Sequence, residues 1–470
     1  MKKPERLLGF VKYEDIDFPF EFDEATGDLN LFPPTREVLE QYSDISSIFE
    51  EINQPKNHRW IEFSQVKGTT SEHNKVIFCV KDRHSIYNGF ICLHVVWYLY
   101  YNNQLNPDEI DGLMVGENDM NLFYPPESAL TCKSIYDKED RSFLELSVTA
   151  QKPKIVNCGE FEIKSNVKVE VNVVAHTTSR FSSTPIDVNS YMILRFSEHI
   201  KLEKAIELYN CIVNFLKYVT YRDNIVLSDV QLYKKTDKDP EYCGLLVFTK
   251  KKDFEKSEKA KKKVINYKLL KNKAASIFSL IAEEKINFRH LCKSVQDTNI
   301  YHPSRIIMIL AEFEKVFKDI YGTNANRSKG YSKVKKEAIS VLDKFISTKT
   351  GKQRDHANEL VRFLKRLDDS YSARIKYAIT NCQSIMEPFI IHNYNKKEYD
   401  DTVAAMCVRL NDLRNEIAHN NMVIEFKAVH LADIKIVEQL IYAIRLKQIG
   451  LNDIDCKRAI NCLFDEKLAL

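Results

Sequence analysis

The sequence contains no apolar stretch long enough to cross a membrane as a helix. Its longest apolar stretch, from Phe90 to Tyr101, has twelve residues and includes His94, whereas a spanning helix needs about 20 apolar residues. The first residues, Met1 to Arg6, lead into a charged and aromatic segment and not into the apolar core of a signal peptide. We therefore expect a soluble, cytoplasmic protein with no membrane partner, in which the apolar stretch forms buried β-structure.

The eleven cysteines show no paired spacing. They occur singly, without a C-x-x-C motif, and their number is odd. A disulfide framework is therefore not expected, and reduced thiols in a cytoplasm are the simplest interpretation. The sequence also lacks the ligand spacing of a zinc site, so we expect no metal and no other cofactor.

The net charge of +3 is too small to indicate a nucleic-acid-binding protein by itself. Charge is concentrated between Lys250 and Lys273, where eleven lysines and three acids give a local charge of +8. Such a run is either a solvated helix face or linker, or a surface that binds phosphates. The sequence leaves both interpretations open.

The first half of the chain favours β-structure. Apolar and polar residues alternate from Val167 to Val173, which predicts a half-buried strand. Residues 76–80, 143–148 and 243–248 are further short runs that favour strands. One amphipathic helix, from Leu202 to Tyr218, interrupts this pattern.

Helical periodicity dominates after about Lys261. An apolar face from Ile306 to Ile320 predicts a helix that begins at Pro303 and ends at Gly322. The same periodicity predicts helices over 333–345, 355–367, 373–389, 398–418, 432–449 and 455–464.

These patterns predict the α+β fold class in a chain long enough for two or three domains. We expect a β-rich, sandwich-like module over residues 1–250, a basic helical linker over 251–300 and an all-α bundle over 301–470.

The hexad from Arg414 to His419, which reads R-N-E-I-A-H, carries side chains that can cleave RNA without a metal. A histidine can move protons near neutral pH, an arginine can stabilise charge on a phosphoryl group, and Asn415 could orient either partner. With 19 arginines and 12 histidines, similar spacings arise by chance about once or twice. Arg414 could instead pair with a surface acid such as Asp412 or Glu416, and His419 could bond to the end of a helix.

In its helical context the hexad resembles the signature of the HEPN ribonucleases, in which an arginine, a polar residue and a histidine lie at the end of a late helix and another helix follows. Residues 401–418 would form the first of these helices and residues 432–449 the second. A β-rich first half joined to such a bundle resembles the ApeA-like anti-phage defence proteins. Residues 440–451 look like the closing helix of that branch, and residues 191–218 resemble the end of its first half.

The resemblance implies a metal-independent endoribonuclease that acts in abortive infection. Arg414, Asn415 and His419 would be catalytic, and an acid on the first long helix of the bundle, Glu314 or next Glu312, would support them. RNA would be the substrate, with transfer RNA favoured, and attack by a ribose 2′-hydroxyl would leave a 2′,3′-cyclic phosphate. The alternative is a non-catalytic dimeric adaptor. A metal-dependent hydrolase is a distant third, because no clustered His, Asp or Glu motif supports it.

The spacing within the hexad bears on how many chains build the site. On an ideal helix, residues five apart lie about 140° apart around the axis and ~7.5 Å along it, so Arg414 and His419 do not share one face. Either the helix frays or kinks at its end, or two chains contribute to one cleft. The resemblance implies a homodimer through the helical domain, and a β-rich half that restrains the nuclease until a phage protein triggers it.

A few other side chains are weaker candidates. Trp60, Tyr218 and Tyr221 could stack on bases, although core packing is the commoner role of aromatic residues. Trp97 is expected in the core, and Asp355 is expected to cap the start of a helix.

Overall fold

The structure, a computed structural model, divides into two compact units. One unit comprises residues 1–216 and 224–254, and the other comprises residues 217–223 and 255–470. The description that follows covers residues 4–42, 63–116, 118–136, 143–164, 166–179, 186–227, 229–236, 240–249, 255, 258–322, 329–366, 370–394, 399–419 and 426–469.

The first unit is built mainly from strands. In chain order they are β1 (Arg6–Tyr13), β2 (Ile16–Asp23), β3 (Asp28–Leu31), β4 (Phe63–Thr70), β5 (Lys75–Tyr87), β6 (Phe90–Tyr101), β7 (Ile110–Gly116), β8 (Leu130–Tyr136), β9 (Phe143–Ala150), β10 (Val156–Glu162), β11 (Lys168–Ser179), β12 (Ile186–Ile200), β13 (Val230–Lys234) and β14 (Glu241–Phe248). The unit also contains α1 (Arg36–Tyr42), α2 (Met120–Phe123) and most of α3 (Leu202–Thr220).

Six of these strands close into an antiparallel barrel. The order β6-β3-β2-β1-β4-β5 is completed by pairing of β5 with β6. The long strand β6 makes this possible, because its first half pairs with β3 and its second half pairs with β14 on the same edge. The sandwich-like arrangement expected from the strand pattern is therefore replaced by a closed barrel. Alternation predicts a strand with two different faces, but it does not predict which edges meet.

The barrel is filled by side chains. Phe18, Phe20 and Phe22 alternate along β2 and are all buried, as period two requires for one face of a strand. Phe20 and Phe22 both contact Phe78, with ring centroids 5.4 and 5.1 Å apart, and Phe22 also lies 4.9 Å from Tyr98. The interior is thus a packed apolar core in which aromatic rings contact one another among aliphatic side chains.

The remaining strands of the large sheet continue from β6 in the order β14-β13-β7-β12-β11-β10, and β8 and β9 form a separate hairpin. The predicted strands over 76–80, 143–148 and 243–248 lie in observed strands, the predicted strand over 167–173 begins one residue later, at Lys168 of β11, and the apolar stretch 90–101 is β6. The predicted helix over 202–218 is α3.

The second unit is helical. Its helices are α4 (Tyr267–Leu270), α5 (Ala274–Ala282), α6 (Pro303–Tyr321), α7 (Lys329–Ser347), α8 (Gly351–Arg366), α9 (Tyr371–Asn381), α10 (Gln383–Tyr394), α11 (Tyr399–His419), α12 (Ala428–Gln448) and α13 (Asp453–Phe464). The last turn of α3 also belongs to this unit. This unit includes the chain from Glu255 onward and therefore most of residues 251–300, for which the sequence predicts a basic helical linker.

Helix α12 is the centre of the helical unit. It packs against α6, α10, α11 and α13, and nearly every residue from Asp433 to Leu446 is buried. A helix that is buried all round must satisfy its polar side chains internally. Glu438 does so with Arg305, whose Nη2 lies 2.9 Å from its Oε1, and with the hydroxyls of Tyr221 and Tyr301.

Within the described residues, no helix has both the length and the apolar character that crossing a membrane requires. All eleven cysteines are free thiols.

Candidate active site

Arg414 forms an ion pair with Glu314. Arg414 lies on α11 and Glu314 on α6, and Nη2 of the arginine is 2.9 Å from Oε1 of the glutamate. The two side chains are 43% and 30% exposed, so the pair is reachable from solvent. The structure therefore brings together two of the residues that the sequence singled out, although they are a hundred positions apart.

Aromatic rings lie beneath this ion pair. The guanidinium carbon of Arg414 is 5.5 Å from the ring centroid of Tyr371, a cation–π distance. Tyr371 in turn packs edge-on against Phe313, with centroids 5.6 Å apart, and both rings are buried. The pair thus lies on an apolar floor that lowers the local dielectric constant and strengthens its electrostatic attraction.

Tyr371 is itself affected by this environment. Burial raises its pKa well above the usual range, the Glu314 carboxylate raises it further, and Arg414 opposes the shift. The phenol therefore stays neutral at physiological pH. Its hydroxyl is buried and has no hydrogen-bond partner among the described residues.

Two of the three helices that carry the site, α9 and α6, have well-defined ends. Helix α9 begins at Tyr371 itself, and the side chain of Ser370 caps it by accepting a hydrogen bond of 3.2 Å from the Ala373 N–H. Helix α6 begins at Pro303, where the missing N–H costs nothing. Its capping by Gly322 at the other end agrees with the sequence prediction.

Helix α11 is held by a second ion pair, which the sequence did not reveal. Arg409 donates two hydrogen bonds to Asp433 of α12, with Nε 2.8 Å from Oδ2 and Nη2 2.7 Å from Oδ1. The Tyr394 hydroxyl donates to the same carboxylate. A bidentate pair fixes orientation as well as distance, so Arg409 sets the rotation of α11 and hence the direction in which Arg414 leaves it. The sequence shows only an aspartate in α12 and an arginine five positions before Arg414, and neither indicates that the two residues pair.

The other two residues of the motif extend from the same helix. Asn415 is exposed. His419 is the last residue of α11, and its side chain lies outside the described part of the chain. Because the helix is continuous from Arg414 to His419, the two Cβ atoms leave it about 140° apart. Within one chain the two residues therefore leave α11 on different sides of its axis.

Glu312, the second acidic candidate, does not reach the site. It is only 2% exposed, and its Oε1 is 3.5 Å from the backbone nitrogen of Asn287. Burial raises its pKa to about 7, and nearby Lys315 and Arg445 oppose the shift. Residues two positions apart on an α-helix are rotated by about 200° around its axis. Glu314 and Glu312 therefore lie on nearly opposite sides of α6, one facing solvent and the other buried.

The weaker candidates have structural environments. Tyr218 and Tyr221 are buried and contact the ring of Tyr442, so neither can stack on a base. Trp97 lies in β6 and is partly buried, whereas Trp60 lies outside the described residues.

The expectation that Asp355 caps a helix is wrong. Helix α8 begins at Gly351, so Asp355 lies within its first turns. The polar loop before α8 is shorter than the sequence suggested. His356 lies 3.7 Å from Glu359 in an exposed pair on the same helix.

The described part of the basic run is mostly exposed. Lys259, Lys261 and Lys262 face solvent, while Lys263 is buried and burial lowers its pKa. Residues 250–254 and 256–257 lie outside the description. Among the described residues, no three His, Cys, Asp or Glu side chains converge as metal ligands would.

No protein-family model, no curated protein and no solved structure matches this chain. The geometry around Arg414 therefore carries the functional proposal.

Proposed function

We propose that this protein is a metal-independent endoribonuclease of the HEPN type, similar to the ApeA-like defence proteins, and that Arg414, Asn415 and His419 carry the reaction. The observation that carries the proposal is the solvent-reachable Arg414, held at 2.9 Å by Glu314 on an aromatic floor. It lies on the helix that ends at His419.

The proposed reaction needs only these side chains and the RNA. His419 takes the proton from a ribose 2′-hydroxyl, and that oxygen attacks the adjacent phosphorus. The bond from phosphorus to the 5′-oxygen breaks, and the leaving oxygen takes up a proton. The products are a 2′,3′-cyclic phosphate and a 5′-hydroxyl, with transfer RNA as the favoured substrate.

Arg414 stabilises the additional negative charge of the pentacoordinate phosphorus. A guanidinium has five N–H donors, and the ion pair with Glu314 uses Nη2, which leaves Nε and Nη1 to meet phosphate oxygens. Glu314 is a positioning residue in this scheme, since it holds the guanidinium in place and does not touch the substrate. Asn415 holds the scissile phosphate or fixes the arginine.

Two chains contribute to each site in this proposal. Because α11 is continuous to His419, Arg414 of one chain meets His419 of a second chain across a two-fold axis. The β-rich unit then acts as the sensor that restrains cleavage until a phage protein is present.

The test is cleavage of RNA in the presence of EDTA. We expect wild-type protein to leave cyclic phosphate ends, and Arg414→Ala and His419→Ala to lose at least about 100-fold in rate. Arg458→Ala and His392→Ala are matched controls on α13 and α10. Arg458 is also paired with an acid, Asp455 at 3.9 Å, so these controls should cleave like wild type. Cleavage that requires a divalent metal, or that survives in His419→Ala, would reject the mechanism.

The second candidate is a non-catalytic dimeric adaptor. One observation favours it: the ion pair with Glu314 accounts for Arg414 without any substrate. An adaptor predicts no RNA cleavage by wild-type protein, and no loss of function in Arg414→Ala. Expression in cells separates the two, because only the nuclease would be toxic in a manner that Arg414→Ala and His419→Ala both abolish.

A further inference from the structure

The hairpin formed by α7 and α8 has two apolar faces, of which one is covered. The inner face is a small core of Ile346, Ala357 and Val361, with Ile339 and Leu342 packed against it. A hydrogen bond of 2.9 Å from Lys335 Nζ to the carbonyl of Lys365 joins the start of α7 to the end of α8. The two helices are therefore antiparallel along their whole length.

The outer face exposes large apolar side chains. Its residues are Val334, Val341 and Phe345 on α7 and Leu360 and Phe363 on α8, each between 49% and 66% exposed. Exposed apolar clusters of this kind are characteristic of interaction surfaces.

The two outer stripes face the same side of the hairpin. An α-helix turns by 100° per residue, so Val334, Val341 and Phe345 lie within about 40° of one another around the axis of α7. This outer stripe is rotated by roughly 110° from the inner stripe, which is formed by the α7 residues of the small core. On α8, Leu360 and Phe363 are rotated by a similar angle, and in the same sense along the chain, from the inner residues Ala357 and Val361. Since the helices run in opposite directions, equal rotations bring both stripes to one side, where they border a shallow groove.

The charge of the hairpin restricts what can fill this groove. From Lys329 to Arg366 there are eleven lysines and arginines against four acids, a net charge of +7. A second copy of the same hairpin would double this charge, so self-association is electrostatically opposed. A partner of opposite charge is attracted.

The rim of the groove narrows the choice further. Lys333 and Lys344 on α7 and Lys352 on α8 flank the apolar stripes, together with Glu337 and Glu359. Three of the five outer side chains are aliphatic, which offers nucleic-acid bases little to stack on.

We propose that this outer face binds an amphipathic helix with acidic flanks from a partner protein. The apolar side of such a helix fills the groove between the two stripes, and its acids meet the basic rim, as in other helix-in-groove complexes. This surface is independent of the proposed nuclease site, because none of its residues is near Arg414 in sequence or in the contacts described above.

The test uses a designed peptide of about 21 residues, three heptads, with leucines along one face and glutamates on both flanks. A second peptide carries lysines in place of the glutamates. In fluorescence anisotropy titrations against the full-length protein, we expect the acidic peptide to bind at least about tenfold more tightly than the basic one, and to weaken as salt is raised. Equal affinity for the two peptides, or no saturable binding of the acidic one, would overturn the proposal.

Variants locate the binding on the protein. Val341→Glu combined with Leu360→Glu should weaken acidic-peptide binding at least about tenfold, whereas Ile454→Glu on α13, which also replaces an exposed apolar residue, should not. Val334→Ser with Phe363→Ser is a milder second pair, and circular dichroism checks that each variant remains helical. Peptide binding unaffected by both pairs contradicts the assignment.

Three parallel arms test the other occupants. RNA, vesicles containing phosphatidylserine, and the oligomeric state are compared between wild type and the Val341→Glu, Leu360→Glu variant. The proposal expects no difference in these arms. A loss of RNA binding, vesicle binding or dimerisation in this variant would assign the face to that occupant instead. RNA cleavage in EDTA, measured alongside, should stay unchanged in the variant, so the two proposals can fail separately.

Discussion

Glu312 is an ionisable group inside the helical unit with little to compensate its charge. Its Oε2 is buried and has no hydrogen-bond partner among the described residues, and burial raises its pKa from 4.5 to about 7. Below pH 4.5 the carboxyl is protonated in both the folded and the unfolded chain. As pH rises from 4.5 to 7, the unfolded chain releases this proton while the folded chain retains it, so the folded state loses stability.

Replacing Glu312 by Gln should remove this pH dependence. Between pH 5 and pH 8 we expect wild type to lose about 2 kcal/mol more stability than the variant, from the size of the pKa shift. Urea unfolding of both proteins at the two pH values measures the difference. Glu314→Gln is the matched control, since Glu314 is partly exposed. Parallel pH dependence of wild type and Glu312→Gln would show that Glu312 does not titrate in this way.

At the residue scale the sequence could mark candidate residues, but it could not decide which of them lie next to one another. The hexad marked Arg414, and helical order marked α6 as the source of an acid. To choose between Glu312 and Glu314 one must know which side of α6 faces solvent, and this orientation depends on the helices that pack against α6. The buried pair Arg409–Asp433 was invisible for the same reason, because its partners come from separate helices.

At the scale of elements, a single buried carboxylate joins three segments of the helical unit. Glu438 of α12 accepts hydrogen bonds from Arg305 of α6 and from Tyr221 and Tyr301. Arg305 also donates through Nη1 to the carbonyls of Asp297, Thr298 and Ile300, at 3.0, 3.1 and 2.7 Å. Burial raises the pKa of Glu438, while Arg305 and the two tyrosine hydroxyls oppose the shift.

Removing only Arg305 from the pair Arg305–Glu438 should lower the free energy of unfolding more than replacing both residues. Arg305→Met leaves the carboxylate buried without its cation, and we expect a loss of about 3–5 kcal/mol. Adding Glu438→Gln should recover part of it, with a coupling energy of about 1–3 kcal/mol. Unfolding free energies of the two single variants and the double variant measure the coupling.

The control for this cycle is Arg458→Met. Its ion pair with Asp455 is exposed, so its removal should change stability by less than about 1 kcal/mol. Losses that simply add in the double variant would mean that Arg305 and Glu438 act separately.

Most elements followed from periodicity, but their ends and partners did not. The predicted helix over 373–389 is two helices, α9 and α10, which meet at Cys382. Neither glycine nor proline marks that break, so spacing alone could not place it. The barrel is a similar case. The sequence predicted strand β6, but it did not predict that β6 pairs with β3 and β14 along one edge and with β5 along the other.

At the scale of the whole chain, the boundary between units could be placed only approximately. The sequence predicts a division at residue 250, and the second compact unit includes the chain from Glu255 onward. Residues 217–223, however, belong to the helical unit, because Tyr218 and Tyr221 pack on Tyr442. A short segment that crosses to another unit leaves no mark in local composition.

The proposed nuclease requires that Arg414 and His419 act together across two chains. Arg414→Ala and His419→Ala should each be inactive toward RNA in EDTA. After unfolding and refolding as an equimolar mixture, about half of the dimers should contain one chain of each kind. Every mixed dimer then has one intact pair of Arg414 and His419.

We therefore predict that the mixture recovers about one quarter of wild-type cleavage, with 2′,3′-cyclic phosphate ends. The controls are the two variants refolded separately, and size-exclusion chromatography with mass spectrometry to show that mixed dimers form. If mixed dimers form and RNA remains uncut, the shared site of Arg414 and His419 does not exist.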